Sequence, residues 1–232
     1  MIRMSGFIQK TPIYNVSRIA VIDYQTGNLH SVAKALEFVG GEVVVTSEIK
    51  ELEAADKIVL PGVGAFGEGM ERLQQLGLID VLNREVRGKK KPFLGICLGM
   101  QLAATVGEEH GLHPGLGWID ARVVRFDFRN LNSPIKSGND TDRTLKVPHM
   151  GWDDVRLVGA SPIFAGLESP ATFYFVHSYH VVPKDKDLVT GICDYGGEFA
   201  AAISFENIYL TQFHPEKSQK KGLKILENFV KF

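Results

Sequence analysis

Four short apolar runs in the first half of the chain limit its possible folds more strongly than any other feature. They occupy residues 19–22, 43–45, 58–60 and 93–96. Residues with helical spacing follow the first, third and fourth runs, at 29–39, 70–86 and 98–106. Continuous apolar runs of this length are typical of strands buried on both faces, and strands that alternate with helices form parallel sheets. The first half therefore predicts an α/β fold, with a central, mostly parallel sheet flanked by helices.

In the second half, strands follow one another without long helices between them. The predicted strands are residues 122–126, 155–158, 172–176, 188–193, 199–204 and 209–213. Residues 223–230 again have helical spacing, whereas the polar stretch 128–146 predicts a long surface loop. These strands add an antiparallel part to the sheet. Because no segment has the composition of an interdomain linker, we expect one domain over residues 18–232 and a flexible N-terminal extension over residues 1–17.

The composition indicates a soluble globular protein and not a membrane or nucleic-acid-binding one. The 232 residues include 26 Lys and Arg against 27 Asp and Glu, and no apolar run reaches the roughly 18 residues of a membrane span. Cys97 and Cys193 are the only cysteines, which excludes a disulfide scaffold or zinc cluster and indicates a reducing, cytoplasmic location. Residues 1–17 lack acidic side chains, so a short organelle transit segment is an alternative to a loose extension.

The candidate nucleophile is Cys97, in the sequence Gly-Ile-Cys-Leu-Gly at residues 95–99. This segment lies where the fourth predicted strand gives way to a helix. A G-x-nucleophile-x-G turn at such a place presents the side chain at the end of the sheet. The N-terminus of the following helix favours the thiolate over the thiol. The alternative is that Cys97 is one more small residue of the core.

A thiol nucleophile needs a base, and His214 follows the last predicted strand directly. Residues two apart in extended backbone point to the same side, so Glu216 can contact His214 and fix its tautomer. Pro215 favours that extended geometry at His214. A solvated His and Glu at a strand end is the alternative, and the cysteine turn in the same chain favours the catalytic interpretation.

A glycine-rich segment at residues 62–67 has the spacing G-x-G-x-x-G of a dinucleotide-binding loop. It follows Pro61 and the third strand, not the first, and no acidic residue ends a strand about 20 residues further on. These features argue against an NAD-dependent oxidoreductase. We predict instead that the backbone N–H groups of this loop stabilise an oxyanion close to the nucleophile.

Two further histidine-containing segments have less specific patterns. His177 and His180 follow a predicted strand, but no carboxylate or third histidine stands at a spacing suited to a metal, so we expect them to line a pocket or the core. His149 and Trp152 lie in a predicted exposed turn. An interface and internal packing explain these two side chains equally well.

Six segments together resemble the triad-type, class I glutamine amidotransferases, and among them the glutaminase subunits of imidazole glycerol phosphate synthase in histidine biosynthesis. The segments are DYQTGN at 23–28, PGVG at 61–64, GICLGMQ at 95–101, PHMGW at 148–152, YFVHSY at 174–179 and QFHPEKS at 212–218. Many amidotransferases share the cysteine turn and the His-Pro-Glu sequence. PGVG, PHMGW and YFVHSY are the segments that resemble this subunit in particular.

The resemblance implies an amidotransferase fold and a Cys-His-Glu triad. Cys97 would attack the carboxamide of glutamine, His214 would transfer the protons and Glu216 would orient His214, so that glutamate and ammonia are released. The resemblance also implies oxyanion-stabilising or glutamine-binding roles for Val63, Gly64, Leu98, Gln101, Ser178 and Tyr179. It implies no cofactor and no metal.

The resemblance further implies a heterodimer in which the ammonia passes to a cyclase subunit with a (β/α)8 barrel. That subunit would make imidazole glycerol phosphate and aminoimidazole carboxamide ribotide, and neither a nucleic acid nor a membrane is expected as a partner. The positions implied at the interface are Asn28, His149, Met150, Trp152, Tyr174 and Lys217.

Two features depart from the family pattern. The stretch 128–146 is longer than usual, and Asp153 replaces a common asparagine. A paralogous subunit that supplies ammonia to a sugar-amidating enzyme and a non-enzymatic binding module are the alternatives.

Overall fold

The structure, a computed structural model, describes residues 16–25, 27, 29–127 and 145–232. Asn28, nearly all of the predicted N-terminal extension and nearly all of the predicted loop at 128–146 lie outside the described residues.

All four apolar runs of the first half form strands, as predicted. The elements of the first half are β1 (Arg18–Ile22), α1 (Leu29–Phe38), β2 (Glu42–Thr46), α2 (Ile49–Ala54), β3 (Lys57–Gly62), α3 (Phe66–Gln75), α4 (Leu78–Leu82), a π-helical segment (Asn83–Gly88), β4 (Phe93–Cys97) and α5 (Leu98–Leu102). The short helix α2 is not predicted by the sequence pattern, which reads as a polar, turn-rich stretch.

Each strand predicted in the second half overlaps an observed strand. The elements are β5 (Ala104–Gly107), β6 (His113–Pro114), β7 (Ile119–Arg125), β8 (His149–Leu157), β9 (Ala171–His177), β10 (Tyr179–Pro183), β11 (Val189–Asp194), β12 (Glu198–Phe205), β13 (Ile208–Thr211) and α6 (Gln219–Lys231). Three of these strands, β5, β6 and β10, are additional to the prediction. None of the helices in the described part of the chain is long and apolar enough to cross a membrane.

Nine strands form one mixed sheet in the order β2-β1-β3-β4-β13-β12-β11-β8-β9. The strands from β2 to β13 are parallel, and the pairs beyond β13 are antiparallel. β10, β7, β5 and β6 form a separate four-stranded sheet. The carboxyl ends of three neighbouring parallel strands, β3, β4 and β13, therefore lie side by side. Ligand sites of α/β folds lie at this edge of the sheet.

Apolar side chains cover both faces of the main sheet. Along β1, Ala20 and Ile22 join the cluster on one face, whereas Ile19 and Val21 join the cluster on the other. The first cluster contains residues of α2, α3, α4 and α5, and the second contains residues of α1 and α6. Burial on both faces explains the continuous apolar sequences of β1, β3 and β4, whereas β2 lies at the edge of the sheet and its Val45 is 43% exposed.

Helix α5 is shorter than predicted. The spacing predicts a helix over residues 98–106, but α5 ends at its fifth residue and the chain enters β5. The carbonyl oxygens of Leu102 and Ala103 accept hydrogen bonds at 2.8 and 2.9 Å from the N–H groups of Leu116 and Trp118. Pairing with this distant segment replaces the next helical turn, a contact that spacing along the chain cannot reveal.

Candidate active site

Cys97 lies on a turn between β4 and α5 that requires small neighbours. Its backbone has φ of 54° and ψ of −105°, a conformation that is rare outside glycine and costs energy. A Cβ atom on Gly99 would lie 1.8 Å from the carbonyl oxygen of Leu60, and one on Gly95 would lie 2.8 Å from the carbonyl oxygen of Gly99. The two glycines therefore allow α5 to pack directly against the sheet. The result is the sharp strand-to-helix turn of a nucleophile elbow.

His214 follows β13, the neighbour of β4 in the sheet. Only 3% of its surface is exposed, and its Nδ1 lies 2.8 Å from Oε1 of Glu216. The backbone of His214 is held as well, because its N–H donates to the carbonyl of Tyr174 at 2.9 Å and its carbonyl accepts from Ser218 Oγ at 2.6 Å. Ser218 Oγ also accepts from the N–H of Tyr174, at 3.0 Å. Sequence reasoning gave no role to Ser218, and the available signal was its place at the end of QFHPEKS.

The charge state of His214 follows from its two neighbours. Burial lowers the pKa of His214, but the Cys97 sulfur and the Glu216 carboxylate outweigh burial and raise that pKa to about 9. His214 is therefore protonated at neutral pH. An imidazolium favours a neighbouring thiolate, so the pair can supply both a nucleophile and a proton donor.

A cavity of about 410 Å³ opens at Cys97 and has a volume typical of small-ligand sites. It is lined by all six residues to which the resemblance gives oxyanion-stabilising or glutamine-binding roles: Val63, Gly64, Leu98, Gln101, Ser178 and Tyr179. A larger cavity of about 900 Å³ lies between α3 and the segment before β7, and none of the predicted site residues lines it.

Glu109 lines the cavity at Cys97 but is absent from the predicted site residues. Its Oε2 accepts a hydrogen bond from the N–H of Phe66 at 2.8 Å, so the carboxylate is tied to the end of the glycine-rich loop. Among the described residues that line this cavity, Glu109 is the only carboxylate, and it can bind a positively charged group of a ligand. No local pattern marks Glu109, because its contact with Phe66 spans 43 positions of the chain.

The glycine-rich loop starts beside Cys97, because Gly62 is opposite Cys97 in the register of β3 and β4. Gly64 has a φ of 105°, and a Cβ atom there would meet nothing within 4 Å. The backbone conformation, and not a lack of space, therefore requires glycine at this position. The loop borders the cavity at Cys97, where N–H groups are needed to stabilise an oxyanion.

Four of the predicted interface residues form a partly exposed group, which we call the aromatic patch: Met150, Trp152, Tyr174 and Lys217. Met150 and Trp152 point outwards from β8 and are 57% and 42% exposed. The ring of Trp152 contacts that of Tyr174 edge to face, with 5.9 Å between centroids. The Lys217 ammonium lies 5.8 Å from the centroid of the Tyr174 ring. The side chains that the resemblance assigns to a partner surface are thus neighbours.

His149 lies inside the protein and not in the aromatic patch. Residues 149–152 begin strand β8 and do not form the exposed turn that the sequence predicts, so alternation directs His149 and Asp153 inwards. Nδ1 of His149 lies 3.0 Å from Nε2 of His177, and its Nε2 lies 2.7 Å from Oδ2 of Asp153. Because His177 lines the cavity, this buried row connects β8 with the candidate active site.

A comparison with known families identifies this constellation. The model of the family "Glutamine amidotransferase class-I" matches residues 20–232. The chain belongs to the class-I glutamine amidotransferases. The family prediction from the sequence is confirmed, and the G-x-G-x-x-G segment is the β3–α3 loop of an amidotransferase.

Similar proteins of known identity show which subgroup of the class-I amidotransferases this chain belongs to. Imidazole glycerol phosphate synthase subunit HisH 1 of Campylobacter jejuni (strain RM1221) is 46% identical over 92% of this chain and 99% of that protein. Subunit HisH of Geobacter sulfurreducens is 48% identical over 92% of this chain and 98% of that protein. Subunit HisH of Aquifex aeolicus is 47% identical over 91% of this chain and 95% of that protein. At this identity and coverage the amidotransferase is a member of the HisH family, as the sequence motifs predict.

Solved structures show the same fold at much lower identity. A protein described as a putative GMP synthase subunit from Thermoplasma acidophilum has a TM-score of 0.67 and 22% identity, with 94% of each chain covered. PurLQS from Thermotoga maritima has a TM-score of 0.65 and 19% identity, with 92% of this chain and 97% of that chain covered. The predicted α/β amidotransferase fold is confirmed.

Proposed function

We propose that this amidotransferase hydrolyses glutamine to glutamate and ammonia with Cys97, His214 and Glu216, and that it delivers the ammonia to a cyclase subunit of imidazole glycerol phosphate synthase. One observation supports the chemistry above all others. Cys97 ends β4, and His214 and Glu216 follow β13, the neighbouring parallel strand. The Cys97 side chain lines the cavity, and the His214 imidazole is paired with the Glu216 carboxylate at 2.8 Å.

The first half-reaction forms a thioester. The Cys97 thiolate attacks the carboxamide carbon of glutamine, and the negative charge moves to the carboxamide oxygen. N–H groups of Leu98 and of the peptide that joins Val63 and Gly64 stabilise that oxyanion. Protonated His214 then gives its proton to the departing nitrogen, so the C–N bond breaks, ammonia leaves and the acyl-enzyme remains.

The second half-reaction restores the enzyme. His214, now neutral, takes a proton from a water molecule whose oxygen attacks the thioester carbon. The C–S bond breaks, glutamate leaves, and Cys97 is again a thiolate beside a protonated His214. Glu216 stabilises the imidazolium and keeps Nδ1 protonated, so Nε2 is the nitrogen that exchanges protons with the substrate.

The cavity can recognise the amino-acid end of glutamine. Glu109 supplies a carboxylate for the α-ammonium group. The Gln101 Nε2 group already donates to the Tyr179 carbonyl at 2.9 Å and to Gln212 Oε1 at 3.1 Å. Gln101 therefore offers glutamine its Oε1 acceptor, while the backbone of Ser178 and Tyr179 borders the rest of the ligand.

A partner in contact with this chain explains how the ammonia is used. Free ammonia becomes ammonium in water at neutral pH and loses its nucleophilicity, so a protein acceptor must receive it directly. Aromatic side chains and Met are enriched at interface centres, and the aromatic patch presents both to solvent. The HisH relatives are subunits of imidazole glycerol phosphate synthase, which favours the cyclase of that enzyme as the partner over a sugar-amidating enzyme.

The test uses the complex of this chain with a cyclase subunit and follows imidazole glycerol phosphate. Cys97→Ala should abolish synthesis from glutamine and leave synthesis from ammonium salt unchanged. Loss of both activities in an intact complex would contradict the division of labour. A full glutaminase that binds no cyclase subunit would refute the proposed partner and leave the hydrolysis standing.

Cys193→Ala is the matched control. Cys193 is buried in β11 with 1% of its surface exposed. Burial, with help from nearby carboxylates, raises the pKa of this thiol far above neutrality, so it stays a thiol. This variant should retain synthesis from both nitrogen sources.

A further inference from the structure

Gln212 is a fully buried amide beside the nucleophile for which the triad mechanism has no role. Its relative exposure is 0%, and it lies two residues before His214 at the end of β13. Its Nε2 is 3.6 Å from Cys97 Sγ, within the range of an N–H···S hydrogen bond. Gln212 directly follows β13, the strand next to β4, and this position brings its amide to the sulfur of Cys97 at the end of β4.

The orientation of the Gln212 amide follows from its neighbours. The carbonyl of Tyr179 can only accept, so the Gln101 group 2.9 Å from it must be the NH₂. The same NH₂ lies 3.1 Å from Gln212, which must therefore present its oxygen to Gln101. The remaining end of the Gln212 side chain, its NH₂ group, then faces Cys97. The Tyr179 carbonyl thus fixes the orientation of the Gln101 amide, which in turn fixes the Gln212 amide with its N–H group towards the sulfur.

We propose that Gln212 is a positioning residue that holds Cys97 in the thiolate form with its sulfur directed into the cavity. This role rests on the proposed glutamine hydrolysis. An N–H donor stabilises a sulfur anion more than a neutral thiol, and burial strengthens the interaction. The carbonyl oxygen of Val176 also lies close, at 3.9 Å from the sulfur. That oxygen can accept from a thiol but repels a thiolate, so loss of the Gln212 donor would favour the uncharged form.

Two substitutions separate the donor from the packing. Gln212→Met fills a similar volume and has no N–H group. Gln212→Glu keeps the shape and the acceptor for Gln101 but places a carboxyl oxygen at the sulfur. Hydrogen bonds to charged groups contribute about 1.5–3 kcal/mol, which corresponds to a shift of about one to two pH units in thiolate formation.

The experiment measures alkylation of Cys97 by iodoacetamide against pH, in the full chain carrying Cys193→Ala so that one thiol reacts. In Gln212→Met, the pH of half-maximal rate should rise by about one to two units. Gln212→Glu should raise the pH of half-maximal alkylation at least as far. Above the new midpoint both variants should regain the parent rate, which a distorted site would not do.

Two companion measurements exclude a merely structural role. The thermal unfolding midpoint of each variant should stay above the assay temperature, which shows that the site is measured in a folded chain. Steady-state glutamine hydrolysis by Gln212→Glu in the complex should show a lower kcat with KM within about threefold, because Gln212 does not line the cavity and this variant keeps the acceptor for Gln101. If Gln212→Met does not fold, the isosteric Gln212→Glu still tests the proposal.

An unchanged alkylation midpoint in a folded Gln212 variant would overturn the positioning role, even if Cys97→Ala abolishes glutamine hydrolysis. The opposite result, a shifted midpoint in a chain that hydrolyses no glutamine, would refute the proposed function and leave the thiolate assignment intact. The two failures are therefore distinguishable.

Discussion

The contact between His214 and Glu216 predicts how the activity depends on pH. The pKa of His214 is raised to about 9, and the proposed reaction needs its proton for the departing ammonia, so glutamine hydrolysis should fall as the pH rises through about 9. Glu216→Gln preserves the shape and an acceptor for Nδ1, at 2.8 Å in the parent, but removes the negative charge. A charge-assisted hydrogen bond exceeds a neutral one by about 1–1.5 kcal/mol, so the pKa of His214 should fall by about one unit.

The assay is glutamate release by the complex between pH 6 and 10. In Glu216→Gln, the high-pH limb should move to a pH about one unit lower, in addition to any overall loss of rate. Glu198→Gln is the matched control, because Glu198 forms an exposed ion pair with Arg156 whose contribution is small. A limb that stays in place in Glu216→Gln would refute the reasoning that the carboxylate raises the pKa of His214.

The raised pKa of His214 also makes the stability of the fold depend on pH. Because the pKa of His214 in the folded chain lies above its ordinary value of 6.5, its proton stabilises the fold fully below about pH 6.5. This stabilisation is lost as the pH rises through about 9. Chemical denaturation at several pH values should therefore show a smaller loss between pH 6.5 and 9 in Glu216→Gln than in the parent.

Three further outcomes are expected. Gly99→Ala should lower the free energy of unfolding by at least about 2 kcal/mol, because its Cβ would lie 1.8 Å from a carbonyl oxygen. Gly88→Ala should be tolerated, because the nearest neighbour of its Cβ would be 3.8 Å away. Equal unfolding midpoints for the two variants would contradict this packing argument. Glu109→Gln should raise KM for glutamine about 10-fold with little change in kcat, and an unchanged KM would remove Glu109 from the ligand site. Trp152→Ala should weaken binding of the cyclase subunit by about 2 kcal/mol in calorimetry, whereas Arg156→Ala, on the same face of β8, should change the affinity little. Similar affinities for both variants would place the interface elsewhere.

The parts of the fold that the sequence predicts are those that depend on local pattern. β1, β3 and β4 are continuous apolar runs because both faces of the sheet are covered, and the turn at Cys97 needs two glycines within five residues. Motif-bearing positions such as His214 and Glu216 are recognisable for the same reason. Each of these features is determined by residues close together in the chain.

The parts that it does not predict depend on distant contacts. The helix after Cys97 ends early because residues near position 116 pair with it, and Glu109 reaches the active site through a contact with Phe66. The direction of His149 depends on whether its segment is a turn or a strand, and pairing with β9 makes it a strand. A single sequence carries no record of such pairings.

Tyr174 belongs to two surfaces at once. Its carbonyl oxygen holds the backbone of His214 at 2.9 Å, while its ring lies in the aromatic patch against Trp152. A shift of the Tyr174 backbone would therefore act on both the His214 backbone and the outer face of β9. An aromatic compound that binds beside the Tyr174 ring would therefore contact a residue that also holds the backbone of His214.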